Sequence, residues 1–142
     1  MPIRKASARW EGNLQQGTGM MKLSSGAFEG AYTFASRFEG APGTNPEELI
    51  AAAHAGCYSM ALAHALSLAG HTPQSVQTTA RVHLDRVPKG YRISTVELST
   101  EVTAGDIGQA AFERIAHEAK ESCPVSQALA GTEITLETKL SA

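Results

Sequence analysis

The chain carries no excess of positive charge. Its 142 residues hold 12 Lys and Arg against 14 Asp and Glu, a formal net charge of −2, so the basic footprint of a nucleic-acid binder is missing. Cysteine is scarce: Cys57 and Cys123 are the only two, too few for the dense disulfide framework of a small secreted domain. The N-terminal stretch Met1-Pro-Ile-Arg-Lys-Ala-Ser-Ala-Arg-Trp10 has no apolar core, so no signal peptide is expected and a reducing, cytoplasmic setting is the default. There are no internal repeats, no low-complexity segments and no Cys-x-x-Cys motif. The length fits a single domain spanning residues 1–142 with a hydrophobic core of its own.

What is present is ordered by its periodicity. Ala6, Ala8 and Trp10 alternate with Lys5, Ser7 and Arg9, the pattern of a half-buried strand. Residues 17–24 can return as a second strand and 31–34 as a short third, before the turn-rich loop Glu39-Gly-Ala-Pro-Gly-Thr-Asn-Pro46. Asn45 as N-cap, Pro46 as first residue, then Glu47 and Glu48 in the first turn predict a helix that Gly70 stops. That helix is apolar or small on nearly every side, with seven alanines from Ala51 to Ala65. It approaches membrane-spanning length, but His54, Ser59, His64 and Ser67 interrupt it and no aromatic or basic anchors flank it, so no membrane partner is expected. A helix without a polar face must be covered all round. One small sheet covers one side, and a second copy of the chain is the economical cover for the rest. Further on, residues 76–85 and 91–103 form two alternating stretches about Val87-Pro-Lys-Gly90. Asp106 is expected to cap an amphipathic helix with Phe112, Ile115, Ala116 and Ala119 inward. A short helix over 124–130 and a last strand through Ile134, Leu136, Thr138 and Leu140 follow. The order describes an α+β protein with antiparallel sheets around a long central apolar helix.

The two cysteines sit in different settings. Cys57 lies about eleven residues inside the long helix, beyond reach of its N-terminal dipole, and burial among alanines raises a thiol pKa. Cys123, in Ser122-Cys-Pro-Val-Ser126, falls at a helix break and restart where amide N–H groups favour a thiolate. Local reasoning alone nominates Cys123 as the attacking thiol. A reactive Cys57 needs a cation brought to it. Arg37 taken singly is an ordinary surface arginine, and Glu47 is accounted for by the helix dipole. His54, Cys57 and His64 lie within about 80° on a helical wheel, but no carboxylate or second cysteine joins them at ligand spacing. His71, His83 and His117 read as solvated or turn positions, and Tyr58 and Met60 as packing.

Three motifs together change this reading. Gly43-Thr-Asn-Pro-Glu-Glu-Leu49, Ala52-Ala-His-Ala-Gly-Cys-Tyr-Ser-Met60 and Cys123-Pro-Val-Ser126, with Tyr32-Thr-Phe-Ala-Ser-Arg-Phe-Glu-Gly40 before them, resemble the osmotically inducible protein C / organic hydroperoxide resistance family over essentially the whole chain. The likeness is greatest to its osmotically inducible branch. It implies a thiol peroxidase that folds as an intertwined homodimer and serves in oxidative and osmotic stress defence. It also implies that Cys57 is the peroxidatic thiol, Cys123 the resolving one, Arg37 the active-site arginine and Glu47 the carboxylate that orients it. The expected chemistry reduces organic hydroperoxides to alcohols through a Cys57 sulfenic acid and a Cys57–Cys123 disulfide. An external dithiol, for example a lipoylated protein, reopens that bond. No metal, haem or flavin is implied. Phe34, Phe38, Tyr58 and Met60 are candidate walls of an apolar pocket around the Cys57 helix. Glu47 and Cys57 are ten residues apart, about 15 Å along one helix, so Arg37 and Glu47 most simply serve the Cys57 of a partner subunit. Two other classes stay open. One is a non-catalytic module binding a small hydrophobic ligand, and the other a thiol–disulfide oxidoreductase acting on proteins, against which the missing Cys-x-x-Cys counts.

Overall fold

The computed structural model describes residues 1–142 and divides into two compact units, residues 1–49 and 50–142. In the first unit, β1 (Ala6–Glu11), β2 (Thr18–Leu23) and β3 (Glu29–Tyr32) form an antiparallel sheet in that order. Trp10, Gly19 and Tyr32 lie in one row across it. Only glycine fits the middle place, since a Cβ there would stand 2.5 Å from the Tyr32 ring and 2.7 Å from that of Trp10. The two rings close over the gap, their centroids 5.3 Å apart.

The third strand ends earlier than the alternation predicts. Phe34, expected as strand, instead opens the short helix α1 (Phe34–Phe38). Thr33 and Ser36 cap each other's backbone N–H groups there, and the Ser36 hydroxyl also donates to the Thr44 carbonyl at 2.7 Å. This reciprocal cap outbids the strand pattern and ties down the loop that follows.

The long helix α2 (Pro46–Leu68) starts and stops where its residues say. Asn45 Oδ1 accepts from the Glu48 N–H at 2.8 Å. At the other end Gly70 takes φ +90°, while the Gly70 and His71 N–H groups return to the Ser67 and Leu66 carbonyls. That is the paired closure a glycine in the left-handed region permits.

The second unit is built on β4 (Ser75–Val87), β5 (Gly90–Thr103) and β6 (Glu133–Ser141), with α3 (Gln109–Ser122) and α4 (Pro124–Ala128) between the last two strands. The β4–β5 pair is antiparallel from Ser75↔Thr103 to Val87↔Gly90, with an irregularity between His83 and Leu84. The β5–β6 pair is parallel, which corrects the expectation of wholly antiparallel sheets. The two helices supply the crossover that a parallel return needs. Asp106 does not cap α3. Gly108 stands at that position, and Asp106 faces His71 at 3.1 Å. The core joins Tyr58, Leu62 and Leu66 of α2 to Val96, Leu98 and Val102 of β5 and to Phe112, Ile115, Ala116 and Ala119 of α3. The α3 residues are the stripe the sequence predicts. α2 is long and apolar enough to cross a membrane, and one side of it, through Tyr58, Leu62 and Leu66, packs into this core. Its far side is different: Ala52, Ala53 and Gly56 are exposed, and Met60 and Leu68 keep 76% and 75% of their surface.

Candidate active site

Cys57 and Cys123 meet. Their sulfurs stand 3.2 Å apart as free thiols sharing one hydrogen bond. Cys57 projects from α2, one residue before the core Tyr58. Cys123 occupies the joint between two helices: its N–H closes α3 on the Ala119 carbonyl, and Pro124 opens α4. A residue before proline is kept out of helical conformation, and Cys123 accordingly has φ −61° and ψ 120°. The break turns its sulfur toward α2 instead of along the α3 surface.

The electrostatics of the two sulfurs differ. Burial pushes the Cys57 thiol up, with the Val125 N–H opposing and Cys123 reinforcing. No cation is among the groups acting on it. For Cys123 burial also raises the pKa, but the Ser126 N–H, Cys57, the Ser126 hydroxyl and the Val125 N–H together more than offset this, and the net shift is downward. The local expectation that Cys123 has the thiolate-favouring surroundings therefore agrees with the structure. Access runs the other way. Cys123 is fully buried and Cys57 is partly exposed.

In the first unit Arg37 and Glu47 meet. Arg37 Nη2 donates to Glu47 Oε1 at 2.7 Å and Nε to the same oxygen at 3.1 Å. Arg37 ends α1 and Glu47 lies in the first turn of α2, so the two capped helix ends set the distance. The Glu47 side chain is only 9% exposed and that of Arg37 35%, an anchored carboxylate under an accessible guanidinium. Such a two-point grip fixes the plane of the fork. The guanidinium also lies over the Phe38 ring, 5.3 Å from its centroid. Beside it opens a cavity of about 410 Å³ lined by Trp10, Leu14, Tyr32, Phe34, Arg37 and Phe38, with Gly12 and Thr33.

Of the four candidate walls, Phe34 and Phe38 line this cavity, which no residue of α2 borders. Tyr58 and Met60 do not line it. Tyr58 is fully buried with its hydroxyl donating to the Ala116 carbonyl at 2.9 Å, and Met60 stands exposed on α2. Trp10, Leu14 and Tyr32 were not singled out as walls from the sequence, since a strand alternation does not say which face borders a cavity. His54 was weighed only as a metal ligand. It is fully buried, with Nε2 at 2.7 Å from Ser126 Oγ, whereas His64 is exposed. Its place three residues before Cys57, against the serine three after Cys123, is the signal that was available.

The OsmC-like protein family matches residues 38–139. Peroxiredoxin OsmC of Escherichia coli is 48% identical over 138 residues, covering 96% of each chain. The chain belongs to the OsmC-like family. Organic hydroperoxide resistance protein OhrB of Bacillus subtilis is 29% identical over 103 residues, 71% of this chain and 74% of its own. Among solved structures, an OsmC-like protein of unknown function from Vibrio cholerae superimposes with a TM-score of 0.78 at 18% identity, over 97% of this chain and 99% of its own. At that identity the likeness is one of fold. The OsmC-like match takes in Glu47, both cysteines and the second sheet up to Lys139 of β6, and begins one residue after Arg37.

Proposed function

We propose that this chain reduces organic hydroperoxides with Cys57 as peroxidatic thiol, Cys123 as resolving thiol, and Arg37, oriented by Glu47, as the cation of the site. The enzyme class is that of its family, a peroxidase-type oxidoreductase in defence against hydroperoxide stress. One observation carries the finer reading: two free thiols 3.2 Å apart, one reachable and one sealed. Access decides the order of attack. The Cys57 thiolate attacks one peroxide oxygen, the O–O bond breaks, and the alkoxide takes a proton to leave as alcohol. Cys57 is then a sulfenic acid, and Cys123 condenses with it to a disulfide and water. An external dithiol, such as a lipoylated protein, restores both thiols. The steps call for no metal, haem or flavin. The aromatic cavity beside Arg37 favours an alkyl hydroperoxide over hydrogen peroxide, because its walls gain by covering a hydrocarbon tail.

Arg37 reaches Cys57 across two copies of the chain in this proposal. Arg37 and Glu47 belong to residues 1–49 and the cysteines to residues 50–142. Ten residues of helix put about 15 Å of rise between Glu47 and Cys57, and the exposed apolar side of α2 asks for a second copy as cover. The proposed setting is the cytoplasm, where a dithiol reductant is at hand.

Titration with cumene hydroperoxide tests the reading. Purified, reduced protein should lose two free thiols for each chain and form a Cys57–Cys123 disulfide. A ligand-binding module would lose none, and a protein oxidoreductase would need a protein disulfide before any thiol changed. Cys57→Ser should abolish peroxide consumption, whereas Cys123→Ser should complete one turnover and stall. A full first turnover in Cys57→Ser would reverse the two roles.

A further inference from the structure

His54 is the one buried side chain with an unpartnered polar atom. Its Nδ1 has no hydrogen-bond partner, while Nε2 stands 2.7 Å from Ser126 Oγ. Ser126 is itself 7% exposed and lies in the first turn of α4, three residues after Cys123, where its hydroxyl and its N–H both act to lower the Cys123 pKa. We propose that His54 and Ser126 are a positioning pair for Cys123, a chain of hydrogen bonds that holds this sulfur as the better thiolate both when it attacks Cys57 and when it leaves.

Hydrogen accounting gives the chain its direction. The Ser126 hydroxyl has one hydrogen. If Nε2 accepted it, Nδ1 would carry an N–H buried with no acceptor, which folded proteins avoid more strictly than a bare lone pair. With the proton on Nε2 instead, His54 donates to Ser126, and Ser126 is free to donate to Cys123. Burial holds the imidazole below its ordinary pKa, so His54 is neutral and the chain delivers a donor without adding a charge.

The other titratable groups facing Cys123 come from the same elements. Cys57 and Tyr58 project from α2, and Tyr58, kept protonated by burial, also feels Glu113 of α3. Lys120 of α3 turns away to the Ile134 carbonyl, and β5 presents Val96, Leu98 and Val102 to this core. None of them supplies a cation to Cys123. Ser126 and its backed hydroxyl are what distinguish the two sulfurs.

This rests on the proposed assignment of Cys123 as resolving thiol and specifies how it acts. In resolution the Cys123 thiolate supplies the electron pair of the new S–S bond. The S–O bond of the Cys57 sulfenic acid breaks, and the departing hydroxide takes up the proton Cys123 gave away, leaving as water. In recycling, a thiolate of the external dithiol attacks the reachable sulfur, Cys57. The S–S pair moves to Cys123, which departs as the stabilised thiolate. The second thiol of the reductant then displaces Cys57. A lower leaving-group pKa speeds such an exchange.

The test follows one equivalent of cumene hydroperoxide through the reduced, full-length protein, timing peroxide loss and disulfide formation separately across pH. His54→Leu and Ser126→Ala should slow disulfide formation about tenfold and raise its pH midpoint by about one unit, one pKa unit being a tenfold change in thiolate fraction. Peroxide loss in that first turnover should keep its rate. His54→Gln, which returns an N–H near the Nε2 position, and Ser126→Thr, which keeps the hydroxyl, should recover most of the lost rate. A monothiol reductant should be found bonded to Cys57. An unmoved pH midpoint, or Gln and Thr variants as slow as Leu and Ala, would reduce the pair to packing. Should His54→Leu fail to fold, the two Ser126 variants carry the test. If the wild-type protein forms no disulfide at all, the role of Cys123 itself is wrong, and the pair has nothing to position.

Discussion

A thiolate on a partly buried helix face needs a charge to hold it, and the surroundings of Cys57 within its own unit contain none. Amide and hydroxyl donors gather on Cys123 instead. Arg37 carries its side chain 35% exposed, gripped from behind by Glu47, and Nη1 takes no part in that grip. On the proposed reading this guanidinium lowers the Cys57 pKa and polarises the peroxide. The sign follows: a cation favours the anion, so removing it must raise the pH at which Cys57 reacts. Arg37→Ala should therefore slow peroxide consumption on the order of a hundredfold, the usual cost of losing a preorganised electrostatic donor, and move the alkylation midpoint of Cys57 upward. Arg37→Lys should recover only part, because a point charge does not reproduce the planar fork. Equal midpoints in wild type and Arg37→Ala would end this role. The candidates Arg37, Glu47, Cys57 and Cys123 were nominated from four short motifs, and the structure brings them together as two pairs, Arg37 with Glu47 and Cys57 with Cys123. The His54–Ser126 contact was not legible, since it joins positions 72 apart in sequence and periodicity carries no information about such pairs.

At the scale of elements, what the sequence made legible was local. Asn45-Pro46-Glu47-Glu48 and Gly70 bound α2 because capping is decided within four or five residues. Asp106 misled because its carboxylate is engaged by His71, 35 positions away, leaving Gly108 to start α3. The β3–α1 boundary shifted because Ser36 replaces the usual Glu or Gln partner of a capping box. The direction of β6 was not available, since alternation is the same read parallel or antiparallel. The α3–α4 break is the element on which resolution depends. Pro124 keeps Cys123 out of the helix and aims its sulfur at Cys57. Pro124→Ala lifts that restriction and should let α3 run through Cys123. A misplacement of about 1 Å between reacting groups costs up to a hundredfold, so Cys57–Cys123 disulfide formation should slow at least about tenfold and sulfenic acid should accumulate. Mass analysis after a dimedone quench reads both species. Wild-type disulfide kinetics in this variant would show that the proline does not set the geometry.

For the whole molecule, the unresolved charge at Cys57 and the uncovered side of α2 call for the same answer. The buried stripe of Tyr58, Leu62 and Leu66 uses one side of the helix. On another, Met60 remains 76% exposed beside exposed Ala52, Ala53 and Gly56, small residues that let a second helix approach closely. A second copy laid there removes that apolar surface from water, and under the proposed function it also brings an Arg37–Glu47 pair to each Cys57. Complementation separates this from a single-chain site. Arg37→Ala and Cys57→Ser chains, each nearly inactive as a homodimer, should form heterodimers when co-expressed. One site in each would combine the cysteines of the first chain with the Arg37 of the second. About half the chains pair as heterodimers under random mixing, and each heterodimer has one intact site of two, so activity should rise well above either parent toward roughly a quarter of wild type. Sedimentation at micromolar concentration should show no monomer. A monomer there would remove the premise, whereas a stable dimer without complementation would place Arg37 and Cys57 of each site on one chain.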